Sequence, residues 1–273
     1  MYNVSFNGKL FSLRNKIVMG IINVTPDSFY VSDGLDKDNI VHSVRSHLVA
    51  GATIIDIGGC STRPNAEYAT QDEEYERVDY ALHVIRNNFP DINLSIDTFR
   101  SKVAAMAVEK YRVDMINDIS GGRFDENMFD TAGKLGVPYV LTHNDTPDDS
   151  ENINFIAEMI DFFQKDIYKL KKCGVKDIIL DPGIGFGKTL NQNYLILHHL
   201  QDFKILGYPI LVGVSHKSMI SRTLNVKIDD ERCENGTTVL ETLALNNGAD
   251  IIRTHNVIHT IDTIKLLKQT YTL

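Results

Sequence analysis

Two sets of side chains in this sequence have the chemistry of a binding site, and they differ in charge. Asp97, Asn117 and Asp181 each close a short apolar run and offer hydrogen-bond acceptors. Together they suit a ligand edge carrying several N–H donors, such as an aminopyrimidinone or a guanidine-like group. Lys217, Arg253 and His255 form the second set. Arg253 can fork onto phosphate oxygens, whereas Lys217 acts as a point charge. Asn23 is neutral, and its amide oxygen can support a hydrated Mg²⁺ that bridges to a diphosphate.

One stretch holds the others in register: Asp181-Pro182-Gly183-Ile184-Gly185-Phe186-Gly187-Lys188-Thr189. An apolar run leads in and a helical pattern leads out, which reads as strand, sharp loop and helix. Pro182 keeps Asp181 out of the α-helical region. Three glycines permit backbone angles other residues avoid and let a ligand approach the main chain. Asp181 either makes a local turn hydrogen bond or pairs with a ligand; the stretch alone is compatible with both. The Gly187-Lys188-Thr189 triplet resembles part of a nucleotide-binding P-loop. That motif needs a glycine where Pro182 stands, so phosphate cradling is not expected here. No nucleophile stands out: Ser61, Ser215 and Ser218 show no clear pairing with a histidine–carboxylate couple, and Cys60 has no obvious base. His143 and His255 lack the spacing of a zinc site.

These residues are delivered by a regular alternation. Short apolar runs at 17–22, 53–57, 94–96, 115–116, 139–141, 177–180, 210–214 and 251–252 alternate with helical patterns at about 37–50, 71–88, 100–110, 126–135, 152–172, 190–201, 232–247 and 257–269. Gly51, Gly136, Gly174 and Gly248 sit where helix C-caps belong. All seven prolines fall between elements or at strand starts. Eight strand–helix pairs without a dividing linker predict a single (β/α)₈ barrel, an α/β fold, over residues 1–273. A short hairpin around Asn7-Gly8 precedes it. A doubly wound open sheet is the alternative. In a barrel the strand ends share one rim, and every strand here ends in a polar or charged group.

Composition narrows the partners. The net charge of −8 argues against nucleic acid or an anionic membrane as a bulk partner. The three cysteines form no zinc or disulfide pattern, which suits a reducing cytoplasm. No signal peptide or membrane-length apolar run is seen.

The motifs, in this order, are similar to those of the dihydropteroate synthase family. They are Met19-Gly20-Ile21-Ile22-Asn23-Val24-Thr25-Pro26-Asp27-Ser28-Phe29, Ile55-Asp56-Ile57-Gly58-Gly59 with Ser61-Thr62-Arg63-Pro64, Ser95-Ile96-Asp97-Thr98, Asn117-Asp118, residues 181–188, Ser215 with Lys217-Ser218, and Arg253 with His255. The resemblance implies a TIM barrel that joins 6-hydroxymethyl-7,8-dihydropterin diphosphate to 4-aminobenzoate with Mg²⁺, releasing diphosphate, within folate synthesis. It also implies a homodimer and a sulfonamide target. By this resemblance Asp97, Asn117 and Asp181 hold the pterin, Lys217 and Phe186 lie against it, and Arg253 and His255 bind diphosphate. Thr62 and Thr254 add to the pterin diphosphate site. Asn23 belongs to the Mg²⁺ side, and Thr62, Arg63 and Ser218 to aminobenzoate. Asp97, Asp181, Lys217, Arg253 and His255 form the implied catalytic set, and loops at 24–36 and 60–70 close over it.

The chain departs from the family pattern at several points. Tyr30-Val31 is an insertion, Cys60 replaces a common Glu, and His216 a common Arg. Asn144-Asp145 follows the strand-five His in place of Met-Arg, and Asn256 replaces an Asp. Two other functions remain open at this level: a pterin-binding methyltransferase of related architecture, and an inactive pterin-binding relative.

Overall fold

A computed structural model describes residues 2–6, 8–25, 30–31, 34–61, 68–145 and 153–270. Eight parallel strands form the central sheet: β3 (Ile17–Asn23), β6 (Ile54–Gly58), β7 (Leu94–Asp97), β8 (Met115–Asp118), β9 (Tyr139–Thr142), β10 (Ile178–Asp181), β11 (Leu211–Val212) and β12 (Ile251–Thr254). Their order in space is β10-β9-β8-β7-β6-β3-β12-β11. A parallel bridge from Leu180 to Ile210 brings β10 beside the segment entering β11 and closes the ring. The expected barrel is therefore present. The remaining strands are antiparallel pairs, β1 (Asn3–Phe6) with β2 (Lys9–Ser12), and β4 (Tyr30–Val31) with β5 (Gly34–Leu35). The inserted Tyr30-Val31 is thus one arm of a small ribbon.

The outer helices are α1 (Lys37–Ala50), α2 (Gln71–Asn88), α3 (Ser101–Tyr111), α4 (Met128–Leu135), α5 (Ile153–Lys172), α6 (Leu190–His198), α7 (Ser218–Leu224), α8 (Arg232–Asn246) and α9 (Val257–Thr270). Two expectations are refined. The helical pattern at 190–201 ends at His198 and continues as a 3₁₀ segment, Leu200–Leu206. The short α7 was not anticipated, because its seven residues are too few for a periodic pattern. Tertiary packing holds it: Met219 and Ile220 are buried, and Gly236 of α8 leaves room for the Ile220 side chain.

The period of two along each strand sorts the residues. Outward residues such as Val18, Ile22, Ile55, Ile57 and Ile96 pack beneath the helices. Inward residues form layers. At the N-terminal end, Met19, Ile54, Met115, Val140, Ile179 and Leu211 fill the barrel, and the β1–β2 hairpin plugs it with Val4 and Phe6. One step further along, the inward positions turn polar: Asp56, Ser95, Asp97, Asn117, Thr142, Asp181 and Arg253. An apolar floor thus supports a polar cup at the carboxyl ends of the strands, where barrels carry their chemistry.

Candidate functional site

The base of the cup is a buried ionic cluster. Arg253 donates through Nε to Asp56 Oδ2 at 2.7 Å and through Nη2 to Asp97 Oδ2 at 2.6 Å. Asn117 donates from Nδ2 to the same Asp56 oxygen at 2.9 Å. Asp56 has no exposed surface and Asn117 almost none. Burial works against the charge on Arg253, yet Asp56 and Asp97 more than compensate and raise its pKa. For Asp97 burial raises the pKa, Arg253 opposes, and Asp56 adds to the rise; the net direction is upward. Gly58 matters here because it has no Cβ. One at this position would lie 3.1 Å from Asn23 Oδ1 and 3.6 Å from Asp97 Oδ2. Asn23 is thereby brought to the side of the cup.

Asp181 and Lys217 form the opposite wall. Asp181 Oδ1 accepts the Gly183 N–H at 2.7 Å, so the local turn bond is real and engages only that oxygen. Burial raises the pKa of Asp181, while the turn bond and the charge of Lys217 pull it down. Lys217 stands with Nζ 4.1 Å from the centre of the Phe186 ring. Burial depresses its pKa to about 8 against the attraction of Asp181, with Arg253 adding to the fall. Gly185, at φ 87°, lets the Lys217 stem cross the loop; a Cβ there would meet its Cδ at 3.0 Å. Phe186 also packs against Cys60, Phe99 and Ile119, an apolar lip on the cup.

The loop between β10 and α6 is pinned at several points. Lys188 donates through Nζ to the carbonyls of His143 (2.8 Å), Gly183 (3.0 Å) and Phe186 (3.0 Å). This lysine is a loop clamp rather than a phosphate ligand, consistent with the missing P-loop glycine. Burial is the main force that brings its pKa down to about 7. Gly183 has φ 69°, and a Cβ there would stand 2.0 Å from the His143 carbonyl oxygen. Asn193 Oδ1 accepts from Gly185 N–H at 2.6 Å, and a capping box of Thr189 with Gln192 starts α6.

The last two strands end in a hydrogen-bonded rim. Ser215 Oγ lies 3.0 Å from His255 Nδ1 and accepts the His255 backbone N–H at 3.3 Å. Ser215 thus has the histidine partner that the sequence did not reveal. His216 adopts a left-handed conformation, φ 54°. Its Nε2 lies 2.8 Å from Glu234 Oε2, and the other Glu234 oxygen is 3.1 Å from His259 Nδ1. Ser218 is exposed at the start of α7.

Most of the expected residues therefore meet at one rim: Asn23, Asp97, Asn117, Asp181, Phe186, Lys217, Arg253, His255 and Ser218. Thr62 and Arg63 lie outside the described residues, as do Asp27, Phe29 and Asp33. Thr254 is a correction. It pairs in register with Gly20, whose missing Cβ would face His47 and Val257 on the helical side. Its side chain is wholly buried beside Glu241, away from the cup. The one-residue alternation that turns Arg253 inward turns Thr254 outward. Asp56 is the residue that sequence reasoning missed. The available signal was its parity: two residues from Ile54, it faces the barrel interior inside an apolar run. Asp118 likewise proves structural, accepting from Ser120 N–H (2.7 Å), Gly122 N–H (2.8 Å) and the Tyr139 hydroxyl (2.5 Å) on the outer face. Among the described residues no group of three or more His, Cys, Asp or Glu side chains could hold a metal ion.

Comparison with known proteins agrees with this geometry. A family model described as pterin binding enzyme matches residues 19–255. The chain is 42% identical to the dihydropteroate synthase of Clostridium beijerinckii over 254 residues, 91% of this chain and 92% of that one. The crystal structure of a dihydropteroate synthase from Clostridium difficile, in the presence of pteroic acid, superposes with a TM-score of 0.87 at 38% identity, covering 94% of this chain and 97% of that one. The Yersinia pestis dihydropteroate synthase with a sulfonamide drug gives a TM-score of 0.89 at 33% identity over 100% of both chains.

The ionic base of the cup predicts a stability effect. Asp56→Ala leaves Arg253 Nε and Asn117 Nδ2 without their buried acceptor, and breaking a buried pair in this way costs about 3–5 kcal/mol. Asp56→Asn, which keeps one acceptor oxygen, is expected to cost less. Urea unfolding midpoints check the order; an unchanged midpoint in Asp56→Ala contradicts it.

Proposed function

This chain belongs to the pterin binding enzyme family and, within it, to the dihydropteroate synthases; from that premise we propose how its own residues carry out the condensation of 6-hydroxymethyl-7,8-dihydropterin diphosphate with 4-aminobenzoate. The observation that carries the proposal is the cup itself, in which the acceptors Asp97 and Asn117 lie with Arg253 at the base and the acceptor Asp181 lies with Lys217 on the opposite wall. The N–H edge of the pterin faces the acceptors. Each donor that leaves water there needs a partner, and buried carboxylates supply strong ones. Asp97 already accepts from Arg253, so ring donors share that carboxylate or displace the guanidinium from it. The buried Asp56 Oδ1 and Ser95 Oγ, on neighbouring strands, have no protein partner among the described residues, which favours a polar ring above them.

The reaction proposed is a substitution at the pterin methylene. Its C–O bond breaks and the electron pair leaves with the diphosphate; the aminobenzoate nitrogen then uses its lone pair to form the C–N bond and loses a proton to solvent. Asp97 and Asp181 stabilise the cationic ring between the two events, and Arg253 and His255 meet the charge on the departing diphosphate. Asn23 offers one amide oxygen, a donor set that fits a Mg²⁺ keeping most of its waters and arriving on phosphate. When bound, Mg²⁺ would stabilise the leaving charge. Phe186 and Lys217 flank the ring, and Ser218, with Thr62 and Arg63, serves the aminobenzoate. The three free cysteines support a reducing, cytoplasmic setting. No helix among the described residues is long and apolar enough to cross a membrane. A homodimer is also proposed. Val239 and Leu243 on α8 and Ile258 on α9 are about half exposed and offer apolar surface to a second copy. Light scattering should return twice the mass of one chain, and a monomeric mass across micromolar concentrations would remove this part.

Incubation with the pterin diphosphate, 4-aminobenzoate and Mg²⁺, followed by mass analysis, should yield dihydropteroate. No product above the enzyme-free control overturns the proposal, and tight pterin binding without turnover identifies an inactive relative. Methyl transfer to a corrinoid protein in place of condensation would favour the methyltransferase reading.

The depressed pKa of Lys217 adds a pH signature. The lysine is charged below its pKa, so kcat/KM for the pterin substrate should fall as pH rises through about 8. Lys217→Arg keeps its charge and should move that alkaline limb upward even if the rate is lower. An alkaline limb unmoved in Lys217→Arg would assign it to another group.

A further inference from the structure

The rim formed by β11 and β12 has a detail that goes beyond charge complementarity. Ser215 is 7% exposed and makes two contacts with one residue, His255. Its oxygen accepts the His255 backbone N–H at 3.3 Å, and the same oxygen lies 3.0 Å from the ring nitrogen Nδ1. A hydroxyl has one hydrogen to give and two lone pairs. One lone pair takes the backbone N–H, and Nδ1 is the one acceptor that the described residues offer to the hydroxyl hydrogen, so donation to Nδ1 is the arrangement that leaves no polar hydrogen unpaired. A neutral imidazole that accepts at Nδ1 carries its proton on Nε2.

The local backbone is built to keep this contact. His216 sits at φ 54°, a conformation uncommon for a residue with a Cβ and one that signals a constraint when found beside a site. It is anchored on both sides: its backbone N–H donates to Thr237 Oγ1 at 3.3 Å, and its ring meets Glu234. Lys217 N–H closes the turn onto the Val214 carbonyl at 3.2 Å. This turn directs Ser215 toward β12 while Lys217 points to Phe186. The His216 ring, with its centre 5.3 Å from that of His255, limits rotation of the imidazole on the other side.

We infer that Ser215 is a positioning residue that holds the neutral His255 imidazole in its Nε2–H form. This rests on the diphosphate role proposed for His255. The consequence is that the nitrogen remote from Ser215 is always a donor, in the neutral ring as in the charged one. A hydrogen bond to a departing phosphate oxygen then does not require His255 to be protonated beforehand. In the charged ring Nδ1–H donates to the same Ser215 oxygen, which has a lone pair for it once its own hydrogen turns away. The hydroxyl therefore supports both charge states and, in the neutral ring, disfavours the tautomer that would present a lone pair to the diphosphate, because accepting from Nδ1–H would leave the hydrogen of this nearly buried serine without an acceptor among the described residues.

The test uses the full-length protein with ¹⁵N-labelled histidine. The spectra at a pH where the ring is neutral, assigned with His255→Gln, should show His255 with Nε2 protonated and Nδ1 bare. Ser215→Ala should shift the balance toward the Nδ1–H form. It should also lower kcat at least about tenfold, near the rate value of one hydrogen bond, with KM for aminobenzoate unchanged. Ser215→Thr retains the hydroxyl and should restore both readouts. An Nδ1–H tautomer in the unmodified protein overturns the inference, whether or not the alanine variant folds. So does an alanine variant with an unaltered tautomer, or a threonine variant that restores neither readout. Failure of the underlying functional reading looks different: the unmodified enzyme then yields no dihydropteroate, while the tautomer measurement is unaffected.

Discussion

The carboxyl end of this barrel depends on one buried contact set, Arg253 held between Asp56 and Asp97 with Asn117 on the same Asp56 oxygen. Charges in a barrel interior are costly to desolvate, and their mutual attraction offsets that cost only when geometry is good. Here the bonds to Arg253 are 2.6 and 2.7 Å. The set ties four strands together, because Asp56, Asp97, Asn117 and Arg253 come from β6, β7, β8 and β12. It also fixes the orientation of the Asn117 amide, whose Nδ2 is committed to Asp56. A ligand entering the cup therefore meets groups whose directions are already set, and the reorganisation needed during reaction is small. A hydrophobic replacement of this cluster would suit stability but would remove Asp97 and Asn117 as acceptors and leave Asp181 on the far wall.

Around that base, the surrounding elements divide between stability and function. The apolar layer below and the β1–β2 plug supply burial without touching the cup. Above it, the loop after β10 is rigid for reasons visible atom by atom: Lys188 ties three carbonyls, Gly183 passes under the His143 carbonyl, and Asn193 receives Gly185. Lys188 also illustrates why a lysine beside glycines is ambiguous in sequence. Its ammonium could serve a phosphate or a set of carbonyls, and the number of close carbonyl oxygens decides. The wall of β11 and β12 is different in kind. It is made from neutral and titratable groups, Ser215, His216, His255, Glu234 and His259, linked by hydrogen bonds across α8 and α9.

The departures from the family pattern can be read in the same terms. His216 pairs with Glu234, and Asn256 bonds to His259 with Nδ2 3.1 Å from Nδ1. Asp145 pairs with Arg123 at 2.9 Å. His216, Asn256 and Asp145 each have a local partner, so these three substitutions make internal contacts of their own. None of them alters the Asp56–Arg253–Asp97 base. Cys60, in the place of a common Glu, is buried in the apolar lip with Phe99 and Ile119. Burial raises the pKa of its thiol, and a neutral group there suits that packing.

The alternation of apolar runs and helical patterns was enough, by itself, to determine the barrel, its hairpin and the rim on which the polar residues lie. This is so because period and punctuation are local properties, written in neighbouring residues. The residue types at the strand ends also determined the charge sorting into acceptors and cations. What only the tertiary structure decided is which way each side chain faces and what it meets. Thr254 and Arg253 are adjacent in sequence, yet one lies against Glu241 under the helices and the other in the cup, because the strand pleat alternates. Asp56 looked like part of an apolar run until three strands were brought together around it. Ser215 and His255 are forty positions apart, and nothing in either strand records that the turn at His216 would bring their oxygen and nitrogen within 3.0 Å. Contacts between distant segments depend on register and turn geometry summed over the whole ring, and that information is carried by packing rather than by any one stretch of chain.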